Sequence, residues 1–272
     1  MADFDLADPA FVAVYDDLPL WSAACGQLLL EEIRLAPGLR ALDVGCGTGF
    51  PLVELAERLG PAGEAHGVDP WAAGLARARQ KIARRGVPNA FVHEGNAEAL
   101  PFPDGHFDLI VSSLGLNNFE RPAAALRECR RVAREGAEIA LASNLQGTFA
   151  ELYEELPAAL AAAGVADAGE RVAVHVAHRT TVPRTQDLLA GAGFEPVQAV
   201  ERSFRMRYAD GAAVLAHHFI RLGFRPAWEE LAPEGSRAAA MEALRQRLDE
   251  RAARAGEVVL TVPIACVLGR AR

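Results

Sequence analysis

The sequence predicts an α/β domain built on a mostly parallel sheet with helices on both faces. Three observations carry this. Short apolar runs at 41–44, 64–69, 90–94, 107–112 and 136–143 alternate with stretches of helical spacing. The first run passes straight into a glycine-rich turn, and Leu52, Val53, Leu55, Ala56 and Leu59 then recur as one helical face. The second run ends in an acid, Asp69.

Taken in order, 10–35 reads as helical, with Phe11, Val14, Trp21, Leu28, Leu29 and Ile33 as its apolar residues. The strand at 41–44 enters the turn, and the helix after it leads to the strand at 64–69. A helix over 71–85 stops at Gly86, with Pro88 beyond it. Strands follow at 90–94 and 107–112, then a basic amphipathic helix at 121–134 and a strand at 136–143. Phe149, Leu152, Tyr153, Leu156 and Leu160 recur at helical spacing. A helix at 185–192 is closed by Gly193, and 194–204 reads as a strand. Helices are expected at 211–222 and 226–255. A long last strand occupies 257–268, with a bulge expected at Pro263, which lacks a ladder donor.

Composition narrows the function. The chain has 272 residues, 51 % apolar and 24 % charged, an ordinary globular balance with length enough for a full α/β core. A net charge of −8 argues against broad nucleic-acid binding, which needs a basic face. The acidic N-terminus lacks the pattern of a secretory signal, and no apolar run has the length of a membrane span. Cys25, Cys46, Cys129 and Cys266 are scattered, which fits a reducing cytoplasm and speaks against a zinc ribbon or disulfide framework. Lys81 is the single lysine, which reads as codon bias.

The turn carries the chemistry. In Arg40-Ala-Leu-Asp-Val-Gly-Cys-Gly-Thr-Gly-Phe50 the glycines alternate, whereas a dinucleotide turn reads G-x-G-x-x-G. Glycine accepts positive φ and lets a ligand lie against the backbone. Asp43 sits two residues before the first glycine. An anion there repels a pyrophosphate and attracts an ammonium or sulfonium group. Asp69, at the end of the neighbouring strand, suits the two hydroxyls of a ribose.

Leu42-Asp-Val-Gly-Cys-Gly-Thr-Gly49 resembles motif I of the class I S-adenosylmethionine (SAM)-dependent methyltransferases. Gly95-Asn-Ala-Glu-Ala-Leu-Pro-Phe-Pro-Asp104 and Ser113-Leu-Gly-Leu-Asn-Asn-Phe119 resemble loops of the ubiquinone/menaquinone-biosynthesis C-methyltransferases and related small-molecule enzymes. Tyr15-Asp16-Asp17-Leu18-Pro19-Leu20-Trp21 is similar to the segment that folds over the SAM site in such enzymes. The resemblance is good over 10–143 and holds only in outline beyond.

It implies a Rossmann-like seven-stranded sheet in the order 3-2-1-4-5-7-6, with strand 7 antiparallel. It implies one domain: an N-terminal helical segment at 1–35, a SAM-binding core at 36–143, and helical inserts at 145–183 and 206–255 forming a substrate lid. The implied cofactor is SAM, leaving as S-adenosylhomocysteine, and the implied binding set is Tyr15, Asp43, Gly45, Gly47, Asp69, Pro70, Trp71, Asn96, Ala97, Ser112 and Leu114. Pro70 and Trp71 would wall the adenine. Asn96, where the family has Asp, would accept from its amino group, and Ser112 and Leu114 would lie beside the methionine part. Asn117 replaces the arginine of the quinone enzymes in a loop that faces the acceptor, which puts their substrate in doubt.

The expected activity is methyl transfer to O, N or C of a small, partly apolar metabolite in the cytoplasm. The inserts carry Phe149, Tyr153, Phe219, Phe224 and Trp228, which either line an acceptor site or pack the helices together. Methyl transfer from a sulfonium needs a base only when the acceptor must lose a proton. Candidates are His175 and His178, Tyr153, and the pair His217 and His218. No metal-ligand spacing is evident. The acceptor, its reacting atom and the assembly, a homodimer included, stay open. The rival readings are an NAD-dependent oxidoreductase and a non-catalytic SAM-binding protein.

Overall fold

The computed structural model describes residues 5–16 and 19–272. Two helices, α1 (Pro9–Asp16) and α2 (Pro19–Glu32), precede the sheet. Then β1 (Arg40–Val44), α3 (Leu52–Leu59), β2 (Glu64–Asp69), α4 (Ala72–Arg85), β3 (Ala90–Glu94), β4 (Phe107–Ser113), α5 (Pro122–Val132) and β5 (Ala133–Asn144) alternate. α6 (Ala150–Ala162), α7 (Ala168–Val176) and α8 (Val182–Ala192) follow, then β6 (Phe194–Tyr208). The chain finishes with α9 (Gly211–Ala216), α10 (His218–Gly223), α11 (Arg225–Glu229), α12 (Arg237–Ala255) and β7 (Val258–Ala271).

The strands form one sheet in the order β3-β2-β1-β4-β5-β7-β6. The pairs β2–β3, β1–β2, β1–β4 and β4–β5 are parallel, and β5–β7 is antiparallel. Central strands buried on both faces need apolar residues at successive positions. β1 and β4 obey this: Leu42, Leu109, Ile110 and Val111 are at most 1 % exposed. The sheet order and the antiparallel last strand are as the sequence implied.

The chain divides into two compact units. One comprises Met1–Asn144, Thr180–Arg202 and Ile264–Arg272; the other comprises Leu145–Arg179 and Ser203–Pro263. The second overlaps the segments expected as inserts but leaves 180–183 to the first unit and adds 203–205 and 256–263.

The helices of 206–255 differ from expectation. The helix expected at 211–222 is two, because His217 takes an extended ψ of 128° between α9 and α10. That expected at 226–255 breaks into α11, a 3-10 turn at Glu234–Ser236 and α12. Pro233 ends the helical run before it, since proline bars the residue ahead of it from helical geometry. α7 was not anticipated. The expected bulge at Pro263 is absent from the β5–β7 ladder, which runs in register from Glu138↔Arg270 to Asn144↔Ile264. Pro263 lies one residue beyond its end, so no bond to β5 is lost.

Candidate functional site

The turn after β1 is shaped by its glycines. Gly45, Gly47 and Gly49 have φ of 81°, 49° and 94°, the left-handed region that side chains resist. The Gly45 N–H donates to Val68 O at 2.8 Å and the Gly49 N–H to Cys46 O at 2.8 Å, folding the chain back before α3. A Cβ built on Gly47 meets nothing within 4 Å. The backbone there is bare, with space over it for a ligand.

Asp43 is 1 % exposed, and neither carboxyl oxygen has a hydrogen-bond partner among the described residues. Burial, and second the Asp69 carboxylate, push its pKa up to about 8; the nearby Leu52 N–H pulls the other way without reaching hydrogen-bond geometry. Burial thus disfavours the charged form of the acid that the sequence reading assumed for it. An orphaned buried carboxyl costs about 1–3 kcal/mol, and a cation brought beside it restores its charge. The buried acid and the open glycine turn thus fit a ligand with an ammonium or sulfonium group.

Asp69 closes the other side of the turn. Its Oδ2 accepts from the Gly47 N–H at 2.9 Å and its Oδ1 from the Trp71 N–H at 2.8 Å. Each oxygen keeps a free lone pair for a ribose hydroxyl. Burial raises its pKa, and those two N–H groups oppose the rise. Pro70, next along, is exposed. Trp71 caps α4, its indole N–H donates to Leu6 O at 2.7 Å, and Tyr15 meets it edge-on at 5.3 Å. Both rings stand on the Asp69 side of the turn. Asp17 and Leu18 of the Tyr15 segment lie outside the described residues.

The neighbour of Tyr15 explains how α1 is held. Asp16 accepts from Arg77 Nε at 2.9 Å and from Lys81 Nζ at 2.7 Å, both on α4. Burial opposes its ionisation, but Lys81, Thr48 and Arg77 outweigh that and hold its carboxyl below the usual range. Thr48 belongs to the glycine turn, so Asp16 links α1, α4 and the turn. Sequence reasoning missed this: Lys81 carried no signal beyond being the sole lysine.

The loops after β3 and β4 place the remaining predicted residues. Asn96 is exposed and its Oδ1 accepts from the Glu98 N–H at 2.9 Å, leaving a second lone pair. Ala97 is 9 % exposed. Ser112 donates to Val44 O at 2.6 Å, tying β4 to β1 under the turn. Leu114 has φ of 63°, a strained conformation for a leucine. Asn117 stitches this loop down: its Nδ2 donates to Asn144 O at 2.9 Å and its Oδ1 accepts from the Thr180 N–H at 3.0 Å. Its amide is thus committed to holding the backbone.

Comparison with known proteins gives the family. The sequence model of a family described as a methyltransferase domain matches residues 42–141. A demethylmenaquinone methyltransferase of Anoxybacillus flavithermus is 35 % identical over 46 % of this chain; the chain spans about half that relative's length, 54 %. The nocamycin O-methyltransferase of Saccharothrix syringae is 31 % identical over 90 % of this chain and 89 % of its own length. The chain belongs to the SAM-dependent methyltransferases. The fold agrees: a SAM-dependent methyltransferase from Aquifex aeolicus superposes with a TM-score of 0.55 at 22 % identity, over 71 % of this chain and 92 % of that one.

In the second unit of this methyltransferase the proton-transfer candidates separate. Tyr153 and His175 meet, Oη to Nε2 at 3.0 Å. The same Tyr153 oxygen accepts from Trp228 Nε1 at 2.9 Å and from Arg179 Nη2 at 3.2 Å. With two bonds accepted, its own proton goes to His175, which assigns that ring as an Nδ1–H tautomer. Burial, then Arg179 and His178, lower the His175 pKa to about 4. His178 is exposed and its Nδ1 bonds only to the His175 carbonyl. His217 packs against Tyr208 at 5.4 Å, its Nδ1 buried without a partner among the described residues. Phe149 and Trp228 are fully buried. Among the described residues no group of three His, Cys, Asp or Glu is placed to hold a metal. No helix among them is long and apolar enough to cross a membrane. Two surface concavities of about 340 and 420 Å³ are lined by residues of the second unit only, Met241 and Val174 among them, and by none of the glycine turn.

Proposed function

We propose that this chain transfers the methyl group of SAM to an oxygen of a small, partly apolar acceptor. The observation that carries the reading is Asp43, a buried acid without a partner beside a bare glycine turn. When bound, SAM supplies an already activated methyl group on a sulfonium. The chain's part is then to bind, align and exclude water. Asp43 balances the ligand's positive charge through the turn, Asp69 takes the ribose, and Tyr15, Pro70, Trp71, Asn96 and Ala97 hold the adenine. Gly45 and Gly47 leave room for the nucleoside, and Ser112 and Leu114 border the methionine part. Acceptor recognition is assigned to the segments 145–183 and 206–255. Oxygen is preferred to nitrogen or carbon because the relative matched along nearly its whole length is an O-methyltransferase. Four free, buried cysteines favour a cytoplasmic setting.

Calorimetric titration with S-adenosylhomocysteine and, separately, NAD tests the reading. Binding of the first and not the second is expected. NAD binding with no heat from the homocysteine nucleoside would overturn it.

A further inference from the structure

The second unit holds a buried cation that the proposed reaction has not used. Arg179 is 5 % exposed. Its one hydrogen bond among the described residues goes to the Tyr153 oxygen, and no carboxylate there forms an ion pair with it. Its remaining N–H donors are not among the sealed polar atoms, so they face accessible space. A guanidinium does not shed its proton, so the charge is permanent.

The hydrogen-bond and ring partners recorded around it carry no negative charge to balance it. The Tyr153 hydroxyl is taken up by Trp228, Arg179 and His175. His175 is held neutral, and His178 brings no negative charge. The rings of Tyr153 and Phe224 lie 5.4 and 5.9 Å from the guanidinium carbon and supply only their quadrupoles. What is missing is one negative charge.

We propose that Arg179 anchors an anionic oxygen group on the methyl acceptor, which is thus an apolar monoacid. The planar donor fork matches a carboxylate. One fixed positive charge among neutral neighbours fits a monoanion, whereas a phosphate dianion would be left half balanced. Phe149, Phe224 and Trp228 make the surroundings apolar. His175 then serves as the acceptor of the Tyr153 proton, positioning the phenol that steadies Arg179, rather than as a general base.

This inference rests on the methyl-transfer reading, and the experiment separates the two. The full chain, saturated with S-adenosylhomocysteine, is titrated with 2-naphthoate and with its neutral counterpart 2-naphthamide. Naphthoate is expected to bind at least about five-fold tighter. Arg179→Gln should remove that preference and Arg179→Lys reduce it, with homocysteine-nucleoside affinity unchanged. Should Arg179→Gln fail to fold, the wild-type and Arg179→Lys titrations decide. A smaller wild-type preference, absence of naphthoate binding, or a preference that survives both substitutions overturns the proposal. Loss of S-adenosylhomocysteine binding in the wild-type chain would instead overturn the methyl-transfer reading.

Discussion

Asp43 is held in a form that costs the free chain stability and that a cationic ligand relieves. Its folded pKa of about 8 lies above the ordinary carboxyl value. Between about 4 and 8 the unfolded chain has lost this proton while the folded chain keeps it, so the group's contribution to stability falls as pH climbs through that window. Asp43→Asn, which has no proton to lose, is therefore expected to stabilise the free protein at pH 7.5, seen as a higher Tm. It should also weaken S-adenosylhomocysteine binding about ten-fold or more, because the ligand's ammonium loses its counter-charge. A variant that binds as tightly as wild type would remove Asp43 from the site. Wild-type binding should release a proton near pH 7, measurable as a dependence of calorimetric heat on buffer ionisation enthalpy.

At the scale of elements, the opening turn of α4 is tuned to its tryptophan. A Cβ on Gly74 would run into the Trp71 indole at Cε3, so only glycine lets the ring rest against the helix. Gly74→Ala improves helix propensity by about 1 kcal/mol but displaces the ring. The expected result is near-unchanged Tm with weaker S-adenosylhomocysteine binding and altered indole fluorescence; unchanged affinity would take Trp71 out of the proposed adenine wall. The strand–turn–helix from Arg40 to Leu59 was legible in the sequence because positive φ demands glycine and the α3 face has a clear period. The region 168–255 was less so. α7 reads Arg171-Val-Ala-Val-His-Val176, an alternation that hides a helical period, and Val174 is indeed 70 % exposed. The break at His217 is marked by no proline or glycine. Of the candidate site, the acids and glycines were readable from spacing. Asn117 and Arg179 were not, because their roles depend on Asn144 and Thr180, and on Tyr153 and Phe224, far away in the chain.

Across the whole molecule, opposed titrations shape the response to pH. Burial lowers the pKa of His66, His93 and His217, and brings His175 to about 4. Below the ordinary histidine value the unfolded chain takes up protons that the folded chain refuses, so stability is lost as pH falls from about 6.5. Asp43 acts in the contrary sense over part of the same range. The wild-type Tm should thus vary little between about pH 5 and 7.5, whereas Asp43→Asn should lose Tm steeply on acidification. Parallel profiles for the two proteins would show that Asp43 is ionised in the free chain. The pairing of Asp16 with Lys81 has a separate practical consequence. Because that lysine bears the only ε-amine in the sequence, its acylation by an amine-selective reagent, followed at the Lys81 peptide and apart from the chain's α-amine, becomes a clock for the docking of α1. S-adenosylhomocysteine should slow the clock, and replacing Asp16 by Asn should speed it.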